Sequence, residues 1–366
     1  MNIQKIALNG FRNYEWDTAE FAPGTNVISG QNAQGKTNLL EAVYMLSSGR
    51  SFRTRYDREL VGFGFSEAQI LAEVFSHDRS QTIDIRLRPG QTKKILVNGV
   101  RKNGGELAEV VNTVLFCPDD LNLIKEGAAV RRRLMDNAIS QIRPRYAEIL
   151  SQFNRLYEHK TRILRDWREK PSLLDTLDEF SDGMARASAQ LIRYRAAFAA
   201  RLNQAAPPIH REFSGEDEQL SIAYQTVSTV RDVTASSKEI YYDICEHQET
   251  HRQAELDSGQ CLTGAHKDDL EIAINGRPAR SFASQGQTRT AALSLKLAER
   301  EIFLAETGEY PILLLDDVLS ELDRKRQEFV LNRIGGGQTL ITCCEDAEIS
   351  SRTGGKVLFV EKGRIR

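Results

Sequence analysis

The sequence predicts an α/β fold in which a nucleotide-binding lobe, with a mixed sheet and an antiparallel part, is divided by an inserted helical arm. Three observations predict it. Gly30-Gln31-Asn32-Ala33-Gln34-Gly35-Lys36-Thr37 has the G-x-x-x-x-G-K-T form of a phosphate-binding P-loop. Ile312 to Leu315 is an apolar run that ends in Asp316-Asp317, the form of a buried strand presenting carboxylates. About 275 residues separate Thr37 from Ile312, too many for both motifs to sit in one short stretch of a domain, so the ends of the chain must meet around an insertion.

Length and composition set the bounds. The 366 residues suffice for two to three domains. A charged fraction of 27% and a hydrophobic fraction of 40% are those of a globular protein. No apolar run approaches membrane-spanning length, and Met1-Asn2-Ile3-Gln4-Lys5 does not read as a signal peptide. The five cysteines have no metal-ligand spacing, so a reduced, cytoplasmic protein with no membrane partner is expected. The net charge of −2 conceals an asymmetry: residues 131–170 carry 11 basic and 5 acidic side chains, residues 204–260 carry 4 basic and 11 acidic. Only the first stretch suits a polyanion, and both also read as solvated helix faces.

In chain order, Ile3 to Leu8 alternates as a strand, and Asn26 to Ser29 is a short strand leading into the P-loop. Lys36 to Leu46 reads as a helix with Leu39, Leu40, Val43 and Leu46 on one face. Ala68 to Phe75 and Thr82 to Leu87 are β-rich, and Lys94 to Asn98 ends in the hairpin signal Asn98-Gly99. Pro144 suits the first turn of a helix running toward Pro171. A second helical pattern begins after Ser172, a candidate N-cap, and is expected to stop at Pro207-Pro208. The two form a helical hairpin, each about 40 Å long at 1.5 Å per residue. A further helix is expected near Ser237 to Asp257, and Gln219 to Thr226 is a strand that the sequence does not place. Leu270 to Ile274 alternates before Asn275-Gly276; Gln287 to Thr307 is a helix with Ala291, Leu295, Ala298 and Ile302 inward. Arg324 to Ile334 is a helix closed by Gly335-Gly336-Gly337, and Thr339 to Cys343 and Val357 to Val360 complete the sheet. The expected domains are 1–130, the first half of the ATPase lobe; 131–258, a mainly helical arm; and 259–366, the second half.

Chemistry follows from these placements. P-loop backbone N–H groups wrap phosphate at a helix N-terminus, Lys36 reaches the β- and γ-phosphates, and Thr37 supplies a hydroxyl to Mg²⁺. Asp316 is the Walker B carboxylate that shares the Mg²⁺, and Asp317 is placed to orient or deprotonate the attacking water. Ser284-Gln285-Gly286-Gln287 precedes a helix and reads either as an anion site or as a simple cap. Ser320-Glu321-Leu322-Asp323 has the same two readings.

The order of these four motifs resembles the ABC-type ATPase heads of the SMC and Rad50 class. In that class the signature, here Ser284, Gly286 and Gln287, caps the γ-phosphate held by another subunit's P-loop. Ser320 and Asp323 take the D-loop positions. Phe11-Arg12-Asn13-Tyr14, Gly49-Arg50-Ser51-Phe52-Arg53-Thr54, the run from Pro118 to Gly127 into Arg131-Arg132-Arg133, Gly264-Ala265-His266-Lys267-Asp268-Asp269 and the signature together resemble, end to end, the RecF family of bacterial recombination mediators. The short arm fits that family better than SMC or Rad50 proteins, whose coiled coils are far longer.

The resemblance implies ATP and Mg²⁺ as cofactors, with Arg12 and Asn13 joining the P-loop in the ATP site. It implies an ATP-dependent homodimer that grips duplex DNA and single-strand/duplex junctions and, with RecR and RecO, helps load RecA onto gapped DNA during repair and fork recovery. Such a protein is cytoplasmic and nucleoid-associated. The alternative is an ATP-gated scaffold that recruits repair proteins with hydrolysis incidental. Arg50, Arg53 and Arg55 form a basic loop suited to phosphates. Arg131, Arg132 and Arg133, and Arg155, Lys160, Arg162 and Arg165 of the arm, are further DNA candidates; the first three read equally as partners of carboxylates around Asp119-Asp120. His266, Asp268 and Asp269 read either as neighbours of the nucleotide or dimer seam or as a polar structural turn. Departures are alanines at Ala128, Ala129 and Ala265 where the family favours proline, and Leu134 where it favours an aromatic. Thr342-Cys343-Cys344-Glu345 also holds no switch histidine, so slow hydrolysis is expected.

Overall fold

The computed structural model describes residues 1–214, 217–344 and 352–366. Two compact units emerge: Met1–Leu121 with Ala292–Arg366, and Asn122–Ala291. The first unit opens with a hairpin, β1 (Asn2–Phe11) and β2 (Tyr14–Glu20), followed by β3 (Thr25–Ser29) and helix α1 (Lys36–Ser48). β4 (Ala68–Ser76), β5 (Arg79–Leu87), β6 (Lys94–Val97) and β7 (Val100–Lys102) extend the hairpin into a six-stranded antiparallel sheet, ordered β2-β1-β4-β5-β6-β7. Its inner face carries Ile6, Leu8, Ile70, Ala72, Ile83 and Ile85, buried with Leu39 and Val43 of α1, as the period-two pattern requires. Asn98 and Gly99 take φ of +50° and +79°, the left-handed pair of a two-residue hairpin turn. β8 (Thr113–Phe116) leaves this part of the chain.

The second unit is mainly helical: α2 (Ala128–Ile142), α3 (Pro144–Asp166), α4 (Leu177–Ser214) and α5 (Ser237–Ser258). Strands β9 (Leu220–Gln225), β10 (Asp269–Ile274) and β11 (Arg277–Pro278) form a small antiparallel sheet in the order β11-β10-β9, which gives the unplaced Gln219 stretch its partner. Two expectations fail here. α4 runs through Pro207 and Pro208 instead of stopping there. Prolines inside a helix forfeit hydrogen bonds and press on preceding carbonyls, at roughly 3 kcal/mol each. What offsets this is burial on both sides of them: Ala206, Ile209 and His210 are buried, and Asn203 Oδ1 accepts from Ile222 N at 2.8 Å, fastening the helix to β9. Ser172 is not the cap of α4. It lies in a separate 3₁₀ turn, Pro171–Thr176, and α4 begins with Asp178 and Glu179 in its first turn, where acidic side chains oppose the helix dipole.

α6 (Ala279–Phe282) and α7 (Gln285–Thr307) follow, and the boundary between the units falls within α7. The first unit is completed by β12 (Ile312–Asp316), α8 (Arg324–Arg333), β13 (Thr339–Cys343), β14 (Lys356–Glu361) and β15 (Arg364–Ile365). The second six-stranded sheet is ordered β15-β14-β3-β13-β12-β8 and is parallel except for β15. All five residues of β12 and of β13 are buried, as strands covered on both faces must be. α8 ends at Arg333 with Ile334 as its C-cap, Gly336 turns the chain just beyond at φ +85°, and the buried Arg300 guanidinium donates to the carbonyls of Arg333, Ile334 and Gly335 at 2.7–3.1 Å, satisfying the orphan acceptors of that helix end. Among the described residues, no helix is long and apolar enough to cross a membrane.

β2, β8 and α2 are absent from the sequence reading. β2 is polar and half-exposed, β8 spans four residues, and the run Arg131-Arg132-Arg133 interrupts the apolar pattern of α2.

A buried ionic network holds the second unit together. Arg195 of α4 is 2% exposed; its Nη1 donates to Asp268 Oδ2 at 2.7 Å and to Ala265 O at 2.6 Å, its Nε and Nη2 to Asp136 at 3.0 and 3.1 Å. Tyr224 and Thr226 hydroxyls donate to Asp268 at 2.5 and 2.7 Å. Burial opposes the charge on Arg195, but Tyr146, Asp136 and Asp268 prevail and hold its pKa above the ordinary value. Removing one member of such a network strands a buried charge. Arg195→Met is therefore expected to cost about 3–5 kcal/mol in urea unfolding of the second unit, and Arg195→Lys to recover only part because it lacks the planar fork. An unfolding midpoint within error of wild type for Arg195→Met would refute this assignment.

Candidate nucleotide and signature sites

The P-loop bends because its backbone must turn through left-handed conformations: Gly30, Ala33 and Gly35 have φ of +153°, +63° and +121°. A Cβ on Gly30 would come within 2.2 Å of Val360 O, and one on Gly35 within 2.8 Å of the Asn13 side chain, so both positions need glycine. Asn13 braces the loop: its Nδ2 donates to Gln34 O at 2.8 Å and its Oδ1 accepts from Asn38 Nδ2 at 2.8 Å. Tyr14 OH donates to Gly35 O at 3.0 Å, and the N–H groups of Lys362 and Gly363 donate to Gln34 Oε1 and O at 2.7 and 3.0 Å. The Lys36 ammonium, 7% exposed, lies inside the loop on the carbonyls of Gly30 (2.5 Å) and Gln31 (3.0 Å). Asn32 Oδ1 is 3.0 Å from Cys344 Sγ.

Across the sheet, Thr37 Oγ1 donates to Asp316 Oδ1 at 2.9 Å, joining residues 279 apart in sequence. Thr342 Oγ1 donates to the same oxygen at 2.9 Å and accepts from Asp317 N at 2.8 Å. Burial raises the Asp316 pKa, and the two hydroxyl donors work against that rise. The backbone at Asp317 is left-handed (φ +53°), which turns its side chain away from the strand, where Ser320 Oγ donates to it at 2.8 Å. A non-glycine residue in that region costs of order 1–3 kcal/mol and marks functional sites. The hydroxyl and carboxylate oxygens of Thr37 and Asp316 are hard donors of the kind Mg²⁺ takes while keeping several waters, so this pair fits that ion.

Arg12 does not touch the P-loop. Its Nε and Nη2 grip the two oxygens of Glu41 at 2.8 and 2.7 Å, and its Nη1 donates to Glu59 O at 2.9 Å. Glu41 is fully buried in α1, one turn beyond Thr37, and also accepts from Ser51 Oγ at 2.5 Å. Arg53 lies 3.6 Å from the same carboxylate and donates to Asn38 Oδ1 at 2.7 Å, which sets it beside the nucleotide motifs. Arg50 and Arg55 are exposed.

The signature lies in the second unit. Ser284 Oγ accepts from Gln287 N at 3.2 Å and Gln287 Oε1 accepts from Ser284 N at 2.8 Å, a reciprocal cap on α7 with Gly286 in its first turn. Gln287 Nε2 donates to Glu218 Oε1 at 2.9 Å, while Glu218 Oε2 is 3.0 Å from His210 Nε2. Ser284 is exposed at the helix N-terminus, where an anion would be met by N–H groups and the dipole. In the first unit Asp323 caps α8, accepting from Arg326 N at 3.0 Å.

Other sequence candidates have internal employment. Arg131 is 3% exposed; it forms two bonds to Asp269 (2.7 and 2.8 Å) and donates to the carbonyls of Leu123, Ile124 and Glu126. A guanidinium so enclosed is not presented to a phosphate, and its carboxylate partner is Asp269, not the Asp119-Asp120 region. Arg132 is half-buried and donates to Asp268 O at 2.6 Å, whereas Arg133 is exposed. His266 is half-buried beside Tyr157, with ring centroids 4.6 Å apart, and burial drives its pKa down to about 4. With Asp268 inside the Arg195 network, the 264–269 segment is a polar structural turn. Lys160 is 1% exposed and pairs with Glu255 at 2.7 Å; Arg162 and Arg165 both face Asp166. Glu345 lies outside the described residues.

Three site residues escaped the sequence reading: Glu41, Thr342 and Glu218. The first had a signal, a lone carboxylate in the apolar run Leu39-Leu40-Glu41-Ala42-Val43. Thr342 is legible only once it pairs with Asp316 in the parallel register. Nothing local marks Glu218.

Residues 2–359 match the family model described as the RecF/RecN/SMC N terminal domain. The chain is 39% identical, over 100% of its length and 99% of the relative's, to the DNA replication and repair protein RecF of Acetivibrio thermocellus. It is 38% identical, over the whole of both chains, to the protein of the same name from Listeria monocytogenes. Among solved structures, the recombination mediator protein RecF of the RecFOR pathway superposes with a TM-score of 0.92 as RecF-ATPrS, at 34% identity and covering 100% of this chain and 97% of that one. The RecF-ATP structure gives 0.90 at 35% identity, covering 100% of this chain and 96% of that one. An Smc head domain from Pyrococcus furiosus, 16% identical, covers 100% of this chain and 95% of that one at a TM-score of 0.56 and shares the fold. With a mixed α/β SMC-like ATPase head and RecF relatives 38–39% identical over its full length, this chain belongs to the RecF family.

Proposed function

We propose that this protein is an ATP-dependent DNA-binding protein of replication and recombinational repair, in which ATP joins two copies head to head. The observation that carries the proposal is the 2.9 Å contact between Thr37 and Asp316. It gives one copy a phosphate cradle and a metal-binding oxygen pair while its signature stands elsewhere in the chain. Gly30 to Thr37 bind the phosphates, with Asn13 and Arg12 shaping the site through Gln34 and Glu41 rather than holding the nucleotide directly. Lys36 leaves the loop carbonyls for the β- and γ-phosphates. Thr37 and Asp316 would hold Mg²⁺, which would supply countercharge to the transferred phosphoryl group. Asp317 orients the attacking water and accepts its proton, with Ser320 aligning the carboxylate. Ser284, Gly286 and Gln287 of a second copy cap the γ-phosphate, and Asp323 keeps the adjoining helix end in place.

The solved relatives named with ATP and with the RecFOR pathway support ATP as the ligand and RecO and RecR as partners. Loading RecA onto gapped DNA is the proposed task of the three. Duplex DNA and single-strand/duplex junctions are the proposed DNA targets. Exposed Arg50, Arg55 and Arg133, and Arg53 beside the nucleotide site, are its proposed phosphate contacts, without Arg131. Hydrolysis is slow and serves release.

Three outcomes are expected. Asp316→Asn lowers DNA-stimulated ATP hydrolysis about a hundredfold or more, since it weakens the metal site and several kcal/mol of charge stabilisation; turnover like wild type would sink the mechanism. Ser284→Arg, read by light scattering, abolishes ATP-induced dimers yet leaves binding of a fluorescent ATP analogue by the single copy unchanged. Dimers of normal stability in that variant would contradict a trans role for the signature. Glu218→Gln loosens Gln287 and weakens ATP-dependent dimerisation roughly tenfold, the size of one charge-assisted hydrogen bond at about 1.5–3 kcal/mol; normal dimerisation would show that Glu218 only packs.

A further inference from the structure

The segment that follows α1 carries an aromatic side chain that no packing explains. Phe63 is 105% exposed, the most exposed large apolar side chain among the described residues. It is not on a loose loop. Phe65 N donates to Gly62 O at 3.1 Å, and Gly64 has φ +86°, so residues 62–65 close a tight turn with Phe63 at its apex. The base of the turn is fastened to the β1–β2 hairpin: Gly62 N donates to Gly10 O (2.8 Å), Arg12 N to Leu60 O (2.8 Å), and Phe11 bridges Val61. Gly62 can hold this position only without a side chain, because a Cβ would come within 2.8 Å of Arg12 O. A phenylalanine presented on a clamped turn keeps its apolar ring in water at a cost that a binding partner recovers.

The charges of the same segment favour one kind of partner. Tyr56, also exposed, carries Arg58 over its ring at 5.2 Å. The acidic side chains of the segment are engaged: Asp57 pairs with Lys93 at 3.0 Å and Glu59 accepts from Thr54 Oγ1 at 2.5 Å. Arg50 and Arg55 are exposed and have no ion pair among the described residues. Aromatic faces interleaved with unpaired arginines are the chemistry that holds single strands, whose bases expose π-faces that a duplex hides in its stack.

We propose that the Gly62–Phe65 turn is a base-stacking finger for single-stranded nucleic acid, with Phe63 taking an unpaired base and Arg50, Arg55 and Arg58 its phosphates. This rests on the DNA-binding reading above and adds to it the element that tells an unpaired strand from a duplex. Arg12 ties the finger to the nucleotide motifs, since the same guanidinium holds Glu59 O and Glu41 of α1.

The test uses the full chain with ATP and Mg²⁺ at fixed salt, and fluorescence anisotropy of labelled oligothymidylate and of a blunt duplex. Phe63→Ala is expected to weaken oligothymidylate binding about tenfold, within the range of one lost base stack, and to leave duplex affinity within about twofold. Phe63→Tyr is expected to restore single-strand binding and Phe63→Leu to fail. In Phe63→Trp, added oligothymidylate quenches emission beyond any change in the wild-type tryptophan signal. Unchanged single-strand affinity in Phe63→Ala, an equal loss on the duplex, or full rescue by leucine overturns the finger, the last pointing to a protein pocket instead. Wild type that binds the duplex but not the single strand also overturns it alone; wild type that binds neither overturns the DNA-binding reading as well.

Discussion

Parallel pairing of β3 with β13, and of β13 with β12, is the constraint on which the nucleotide site depends. Cys343 pairs with Ser29 at the mouth of the P-loop, and Thr342 pairs with Asp316. This register brings a hydroxyl from α1, a hydroxyl from β13 and a carboxylate from β12 to one point. Parallel strands cannot be joined by a tight turn, so each connection must travel. The chain uses that freedom to put an entire helical unit between β8 and β12. A slip of one residue in this register would send Asp316 to the opposite face of the sheet.

Within each unit, carboxylates organise the polar groups. Glu41 collects Arg12, Ser51 and Arg53 one helical turn past the P-loop, so the β1–β2 hairpin and the segment after α1 share one anchor. In the second unit Asp268 and Asp136 do the same for Arg195, and Glu218 joins the signature to the end of α4. Each carboxylate is costly to bury alone and inexpensive when its acceptors are all engaged, which makes these hubs rigid. Side chains that read as a basic DNA surface in sequence are, at Arg131 and Lys160, the countercharges that make such burial possible.

Much of the fold was legible from periodicity and turn chemistry. The Asn98-Gly99 hairpin, the helix after the P-loop, the capped helix at Ser237 and the core strand at Ile312 all rest on local signals that tertiary packing leaves intact. β2 and β8 were not, because a polar edge strand and a four-residue strand carry little period of their own. The helix through Pro207-Pro208 was misread because the burial of Ile209 and His210 outweighs a local rule.

At the site the division is sharper. The sequence by itself determined the chemical groups: the glycines, Lys36 and Thr37 of the cradle, Asp316 and Asp317 at a strand end, and Ser284, Gly286 and Gln287 at a helix start. These are local patterns of residue type and spacing. Only the tertiary structure decided which groups meet. It set Arg12 on Glu41, took Arg131 out of the solvent, gave Asp316 a second donor in Thr342 and left Phe63 on the surface. The physical reason is that burial and ion pairing are settled by contacts between elements that the fold brings together, here residues 26 to 138 positions apart, which no local spacing encodes.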